Sequence, residues 1–301
     1  MVRCGILACM FPAREYAMKG NRVMMKIFMP KRIKLCLCAG AICALGIIIF
    51  LIARSASESN KAELWELVYK RKRQNPDEYT IYIQEDGIYE PYLVIDGDYG
   101  GGVLLLRKHL TNETVLFKGI GLHYDEDESR ERHPRYYPAS DVDAYLRAIF
   151  LPKFPSALQD SILDTTLSVA KKDADVNFNR GTEPIERKVF LLSVTELNER
   201  EGSTACVEGV PLAFYKDGNP ISATHKHGMD GKYWLRSTFF GQGGLIMAFF
   251  VGHKWDNPHD WVASGAPVGY EFFLRPAFCL SPDSPIEQAA FNGETVYILS
   301  Q

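Results

Sequence analysis

Polar and apolar positions follow two different periods along this chain, and one stretch has no charged position at all. From Leu35 to Ala53 the sequence reads LCLCAGAICALGIIIFLIA, nineteen residues without a charge. As a helix it would span about 28 Å, close to the thickness of a bilayer's hydrocarbon core. A buried helix of a globular protein normally keeps a polar face, and this one has none. The pattern predicts a transmembrane or signal-anchor helix. Just behind it, AELWELVYKRKRQ spaces Leu64, Leu67 and Val68 as a helix does, which predicts a stalk or an edge-packed juxtamembrane helix.

From Tyr79 the period falls to two. YTIYIQ, YEPYLVID and GGVLLLRKHL are short β-rich runs divided by Glu85-Asp86-Gly87 and Asp96-Gly97-Asp98-Tyr99-Gly100, which predicts an antiparallel meander. The helical period returns after Ser140, where Asp143 stands at N3 of a near capping box and Val142, Tyr145, Leu146 and Ile149 form an apolar face. A second short helix is expected from about Ser156, burying Leu158, Ile162 and Leu163. Residues 170–187 read as polar turns, and Val189–Val194 as a strand leading into TELNEREG, which can turn into a helix. KYWLRSTFF, GGLIMAFFVGHKW and GYEFFLRPAFCL read as strands, Pro276 requires an edge, a bulge or a strand end, and FNGETVYIL reads as a final strand. The organisation is a basic leader (1–34), the apolar segment (35–53), a juxtamembrane linker and helix (54–78) and a single globular domain (79–301).

Charge gives that organisation a direction. Arg22, Lys26, Lys31, Arg32 and Lys34 precede the apolar segment, while Arg54 and Lys61 are the basic residues soon after it. The positive-inside rule then leaves the N-terminus in the cytoplasm and the bulk of the chain outside. Small residues in Ala53-Arg54-Ser55 and Ser55-Ala56-Ser57 permit cleavage and secretion, although the length of the segment favours an uncleaved anchor. Nine of the 34 Lys and Arg but only one of the 37 Asp and Glu fall in residues 1–54, so residues 55–301 carry a formal charge of about −11. Nucleic acid needs a positive footprint and is excluded as a partner. The glycines at 100–102 lack the helix and lysine of a phosphate loop, and the charge-dense stretch 123–137 lacks the ligand spacing of a helix–loop–helix calcium site.

The candidate chemistry is sparse. Five of the seven cysteines lie in the leader and the apolar segment, leaving Cys206 and Cys279, which outside the membrane can form one disulfide or remain two buried thiols. His225, His227 and Asp230 form a weak metal-ligand pattern, with His253 and His259 farther on, and no cofactor is implied. Ser193 and Ser237 lack a glycine-framed nucleophile elbow. Arg236 and Arg275 stand in apolar strand-like runs, where a guanidinium either ties loops to the sheet or meets a ligand. Trp234, Phe239, Phe240, Trp255, Trp261 and Tyr270 are interleaved with polar residues, a mixture able to stack on a sugar or a peptide. Trp255 and Trp261 lead this group, with Arg236, Asp256 and Asn257 as polar companions.

VLLL (103–106), YLRAIFLPKF (145–154), SILDTTL (161–167), VFLLSVTE (189–196), YWLRS (233–237) and LRPAFCL (274–280) occur in an order that resembles a bacterial family of extracytoplasmic domains, domain-of-unknown-function family number 6273, over about residues 90–282. Tyr145-Leu146-Arg147 replaces the family's usual Trp-Leu-Asn, and Thr238 replaces a proline. The resemblance implies an α+β, C-type-lectin-like domain: a twisted antiparallel sheet, two helices and long loops. The fold analogy carries no function, and members of the family have no established activity. The aromatic loops of residues 238–262 point to a noncatalytic surface or extracytoplasmic binding module whose partner is an envelope glycan or a surface protein. The alternatives are a structural envelope-assembly module, and a metal-dependent or formylglycine-generating-like enzyme.

Overall fold

The structure, a computed structural model, describes residues 61–70, 79–119, 136–171, 181–199, 206–240, 246–254, 257–291 and 293–300. The leader, the apolar segment 35–53 and residues 123–135 of the charge-dense stretch lie outside them. Among the described residues no helix is long and apolar enough to cross a membrane. The architecture is α+β, mostly antiparallel sheet with a few short helices.

The chain enters through β1 (Lys61–Glu63) and α1 (Trp65–Lys70). Leu64 and Leu67 are fully buried, and Val68 packs so closely over Gly97 that a Cβ there would meet its Cγ1 at 2.7 Å. Here α1 is packed against the sheet and is not a free stalk. The predicted meander follows as β2 (Thr80–Glu85), β3 (Ile88–Tyr99) and β4 (Gly102–Arg107). Its two hairpin turns, Asp86-Gly87 and Gly100-Gly101, have positive φ at both central residues, the geometry that matches the twist of the flanking strands.

After β5 (Val115–Leu116) comes α2 (Asp141–Tyr145), capped as its sequence predicts: the Ser140 hydroxyl accepts the Asp143 N–H at 3.0 Å. The helix then widens into a π turn over Leu146–Phe150 and tightens into a 3₁₀ turn over Leu151–Lys153. Widening rotates Phe150 into the core and leaves Ile149 52% exposed, which corrects the apolar face expected from a regular 3.6-residue period. Leu158 of α3 (Ser156–Ser161) and Ile162 just after it are buried, with Leu163 partly so.

Two further expectations are corrected. Residues 182–187 are not turns: β7 (Thr182–Arg187) pairs antiparallel with β6 (Thr165–Ala170). None of its residues is fully buried and only Ile185 packs on the core, so its sequence carries little apolar signal. The segment after β8 (Val189–Phe190) forms a tight turn through Asn198, at φ +61°, rather than a helix. The Glu196 side chain bends back to accept the Ser193 N–H at 2.9 Å, which competes with helical continuation.

α4 (Ala213–Lys216) precedes a compact sheet of β9 (Tyr233–Phe240), β10 (Ile246–Lys254) and β11 (Asn257–Pro267), in the order β11-β10-β9. β12 (Glu271–Phe272) pairs with β5, and β13 (Ala277–Leu280) starts immediately after Pro276. β14 (Pro285–Phe291) and β15 (Glu294–Leu299) complete an eight-stranded sheet in the order β1-β14-β15-β2-β3-β4-β13-β8. Its one irregularity of direction is the parallel pairing of β15 with β2. Every residue of β4 is buried, which places the VLLL run at the centre of the core.

Candidate functional site

The YWLRS run forms the first half of β9 and anchors a buried polar network. Arg236 is 0% exposed, and its guanidinium grips Glu196 with both arms, Nη1 to Oε2 at 2.7 Å and Nη2 to Oε1 at 2.6 Å, while Nη1 also donates to the Leu191 carbonyl at 2.8 Å. The Tyr99 hydroxyl donates to Glu196 Oε1 at 2.5 Å. Burial alone would lower the pKa of Arg236, but Glu196, Tyr99 and Glu208 together outweigh it and raise the value. Arg236 is therefore a scaffold residue, inaccessible to a ligand, and leaves the set of ligand contacts expected from sequence. Arg275 plays a similar part, donating to the Arg107 carbonyl at 3.0 Å and lying over the Tyr233 ring.

Glu208 completes the network. Its carboxylate accepts the Ala170 N–H at 2.8 Å and the Ser237 hydroxyl at 2.5 Å, while Ser193 donates to its main-chain carbonyl at 2.6 Å. Both serines are buried structural groups rather than exposed nucleophiles. Burial pushes the Glu208 carboxyl above its ordinary value of 4.5, against the opposing pull of Arg236 and Ser237. A raised carboxyl pKa means that the fold prefers the protonated form. The stabilisation it brings is fully present below the ordinary value and is lost as pH rises through the raised one. Urea midpoints measured across pH should lose this downward step in Glu208→Gln, whose stability profile above pH 4.5 is expected to be the flatter.

At the far end of the compact sheet, three side chains from separate segments meet at the surface. Trp261 on β11 stands opposite His253 on β10, ring centroids 4.4 Å apart and planes tilted by 45°. Asp230, brought in by an isolated bridge to Thr224, lies with Oδ2 3.3 Å from His253 Nε2. The imidazole is 33% and the carboxylate 50% exposed, so both remain within reach of solvent. His253 Nδ1 is buried without a hydrogen-bond partner.

The remaining sequence candidates scatter. Trp234 is fully buried, and Phe239 packs against Phe249. Tyr270 is exposed beside Phe272, at 6.2 Å between ring centroids. Trp255 and Asp256 lie outside the described residues, and Asn257 is placed only by its backbone, paired with Lys254. His225 sets its ring edge-on against Phe273 at 4.1 Å, His227 is exposed, and Asp230 turns to His253. Among the described residues no three His, Cys, Asp or Glu side chains converge as metal ligands. Cys206 and Cys279 are both buried and no disulfide joins them, since the Cys279 sulfur in β13 meets the Tyr99 carbonyl at 3.6 Å instead. Burial pushes the Cys279 thiol up to about 12, which removes the thiolate that nucleophilic chemistry would need.

The family model described as "Domain of unknown function (DUF6273)" matches residues 100–282, more than half of the 301-residue chain. The chain belongs to the DUF6273 family. Comparison with curated proteins and with solved structures finds no match. The DUF6273 match opens at the β3–β4 turn and closes before β14, so it contains Arg236, Glu196 and Glu208 and the Trp261 surface, while Tyr99 falls just before it. Strands β1, β14, β15, β2 and β3 lie beyond it. Sequence reasoning missed Glu196 and Glu208 as partners of the buried arginine in this DUF6273 domain. The signal available for them was general: an arginine inside an apolar strand requires a carboxylate somewhere, without saying where.

Proposed function

We infer that this DUF6273 domain is a noncatalytic binding module that meets an envelope glycan at Trp261, His253 and Asp230. One observation carries the reading: an aromatic ring, an imidazole and a carboxylate from three segments are gathered at one partly exposed place on the compact sheet. A sugar offers apolar C–H faces to a ring and hydroxyls to polar groups, and this set supplies both kinds of partner. The extracytoplasmic setting is part of the proposal. It rests on the apolar run 35–53 and on the basic residues preceding it, which would hold the N-terminus in the cytoplasm and the domain outside the membrane. The C-type-lectin-like scaffold is also proposed, supported by the bulged antiparallel sheet, the meeting of the first and last strands in one sheet and the separate small sheet bearing the site.

Calorimetric titration of the full chain in detergent micelles with a panel of cell-wall glycan fragments tests this reading. Wild type should bind at least one fragment, and Trp261→Ala should weaken that affinity about tenfold, equivalent to about 1.4 kcal/mol. Asp230→Asn should weaken it less, because it keeps a hydrogen-bonding oxygen. Binding that survives Trp261→Ala unchanged, or a panel that elicits no heat from wild type, would end the proposal.

A further inference from the structure

The backbone that carries Asp230 is fixed on both sides. An isolated bridge pairs it with Thr224, and inside that hairpin the His225 N–H donates to the Met229 carbonyl at 2.8 Å and the Gly228 N–H to the His225 carbonyl at 2.9 Å. Gly228 makes the turn at φ +78°, a conformation open to glycine. On the other side Gly231 packs so closely that a Cβ there would meet Leu110 Cδ1 at 2.7 Å and Phe273 Cδ2 at 3.0 Å. The Asp230 carboxylate is thus presented by a built segment, with half of its surface open to solvent.

No permanent cation neutralises it. Lys226, four positions earlier, turns to Glu90 Oε1 at 3.0 Å. Lys232, two positions later, places its ammonium over the Phe250 and Phe272 rings, 5.4 and 5.7 Å from their centroids. Among the described residues the ion-pair partner of Asp230 is His253, at 3.3 Å, and an imidazole is positive only when protonated. With the imidazole neutral, Asp230 presents an uncompensated negative charge, in a domain whose residues 55–301 already carry about −11.

Trp261 favours the same sign of partner. The face of an indole attracts cations through its quadrupole, and this ring flanks the imidazole that Asp230 meets, at 4.4 Å between centroids. An anionic sugar would face the Asp230 carboxylate instead.

We propose that the Trp261 surface selects saccharides bearing a protonated amine, with the ammonium against Asp230 and a C–H face of the sugar on Trp261. The proposal rests on the glycan reading of this surface and narrows it to cationic ligands. An ammonium brings three N–H donors and can reach the half-exposed carboxylate without displacing a lysine or arginine. The amine can belong to an amino sugar or to a peptide branch joined to the sugar, since both offer the same charged donor.

The test is calorimetric titration of the full chain in nonionic micelles with two matched pairs of ligands. A glucosamine tetrasaccharide is compared with its N-acetylated form, and a lysine-bearing glycopeptide with its Nε-acetylated form, because acetylation removes the charge. The measurement is made at about pH 7, where free imidazole is mostly uncharged. In at least one pair the free amine should bind about threefold to fivefold more tightly, the scale of a partly exposed ion pair, and the pair that responds identifies the source of the amine. That preference should shrink as sodium chloride rises from about 20 to about 300 mM. Asp230→Asn should bring the two forms to nearly equal affinity, whereas Trp261→Ala should weaken both. If no member of either pair binds, the glycan reading falls and this inference with it. Equal affinities in both pairs, a preference for the acetylated forms, or a preference that neither Asp230→Asn nor salt reduces would overturn the inference and leave the glycan reading standing.

Discussion

Arg236→Met should destabilise the domain by about 3–5 kcal/mol, the usual consequence of removing one partner from a buried ion pair. The guanidinium is wholly buried and holds both oxygens of Glu196, so its loss strands a carboxylate away from water. The hydrogen bonds from Ser193 and Tyr99 do not neutralise that charge. Against a total stability of about 5–15 kcal/mol, the loss should appear as a large fall in the urea midpoint. Arg236→Lys should rescue little, since a single ammonium cannot reproduce the two-pronged contact. Arg236→Met combined with Glu196→Gln should recover much of the loss, because the stranded charge is then gone. If Arg236→Met alone left the midpoint near that of wild type, the network would not be what joins β9 to the turn after β8.

Trp234→Ala should cost a similar about 3–5 kcal/mol, as large aromatic truncations in cores do. The indole is fully buried, with its Nε1 donating to the Val115 carbonyl at 2.8 Å, Phe117 meeting it edge-on at 5.4 Å and Phe272 tilted across it at 4.5 Å. It thereby ties the small β5–β12 pair to the compact sheet. Trp234→Phe retains most of the packing but leaves the Val115 carbonyl without its donor, an expected cost of about 1–3 kcal/mol. Thermal or urea unfolding distinguishes the two variants. A stable Trp234→Ala variant that had lost ligand affinity would return this ring to the recognition surface and contradict its place in the core.

Much of the fold was legible in the residues themselves. The meander was readable because the Asp86-Gly87 and Gly100-Gly101 turns sit between runs of period two, and local backbone preference is a property of neighbouring residues. The Ser140 cap was readable for the same reason. Strand β7 was not, since a surface strand that buries almost nothing has no apolar period to detect. Nor was the shift from Ile149 to Phe150, because a π turn changes the period within the helix.

The candidate sites divide along the same line. Composition and motif order alone determined that the chain belongs with DUF6273, that its long domain is acidic, and that aromatic and polar residues mix in its last third. Only the tertiary structure decided which of those residues face solvent. It withdrew Arg236 and Trp234 into the core and moved Asp230 from a histidine cluster to His253. The reason is range: periodicity and capping act between residues a few positions apart, whereas Arg236 meets Glu196 across 40 positions and Tyr99 meets Glu196 across 97. Contacts at that separation exist only once the chain has folded.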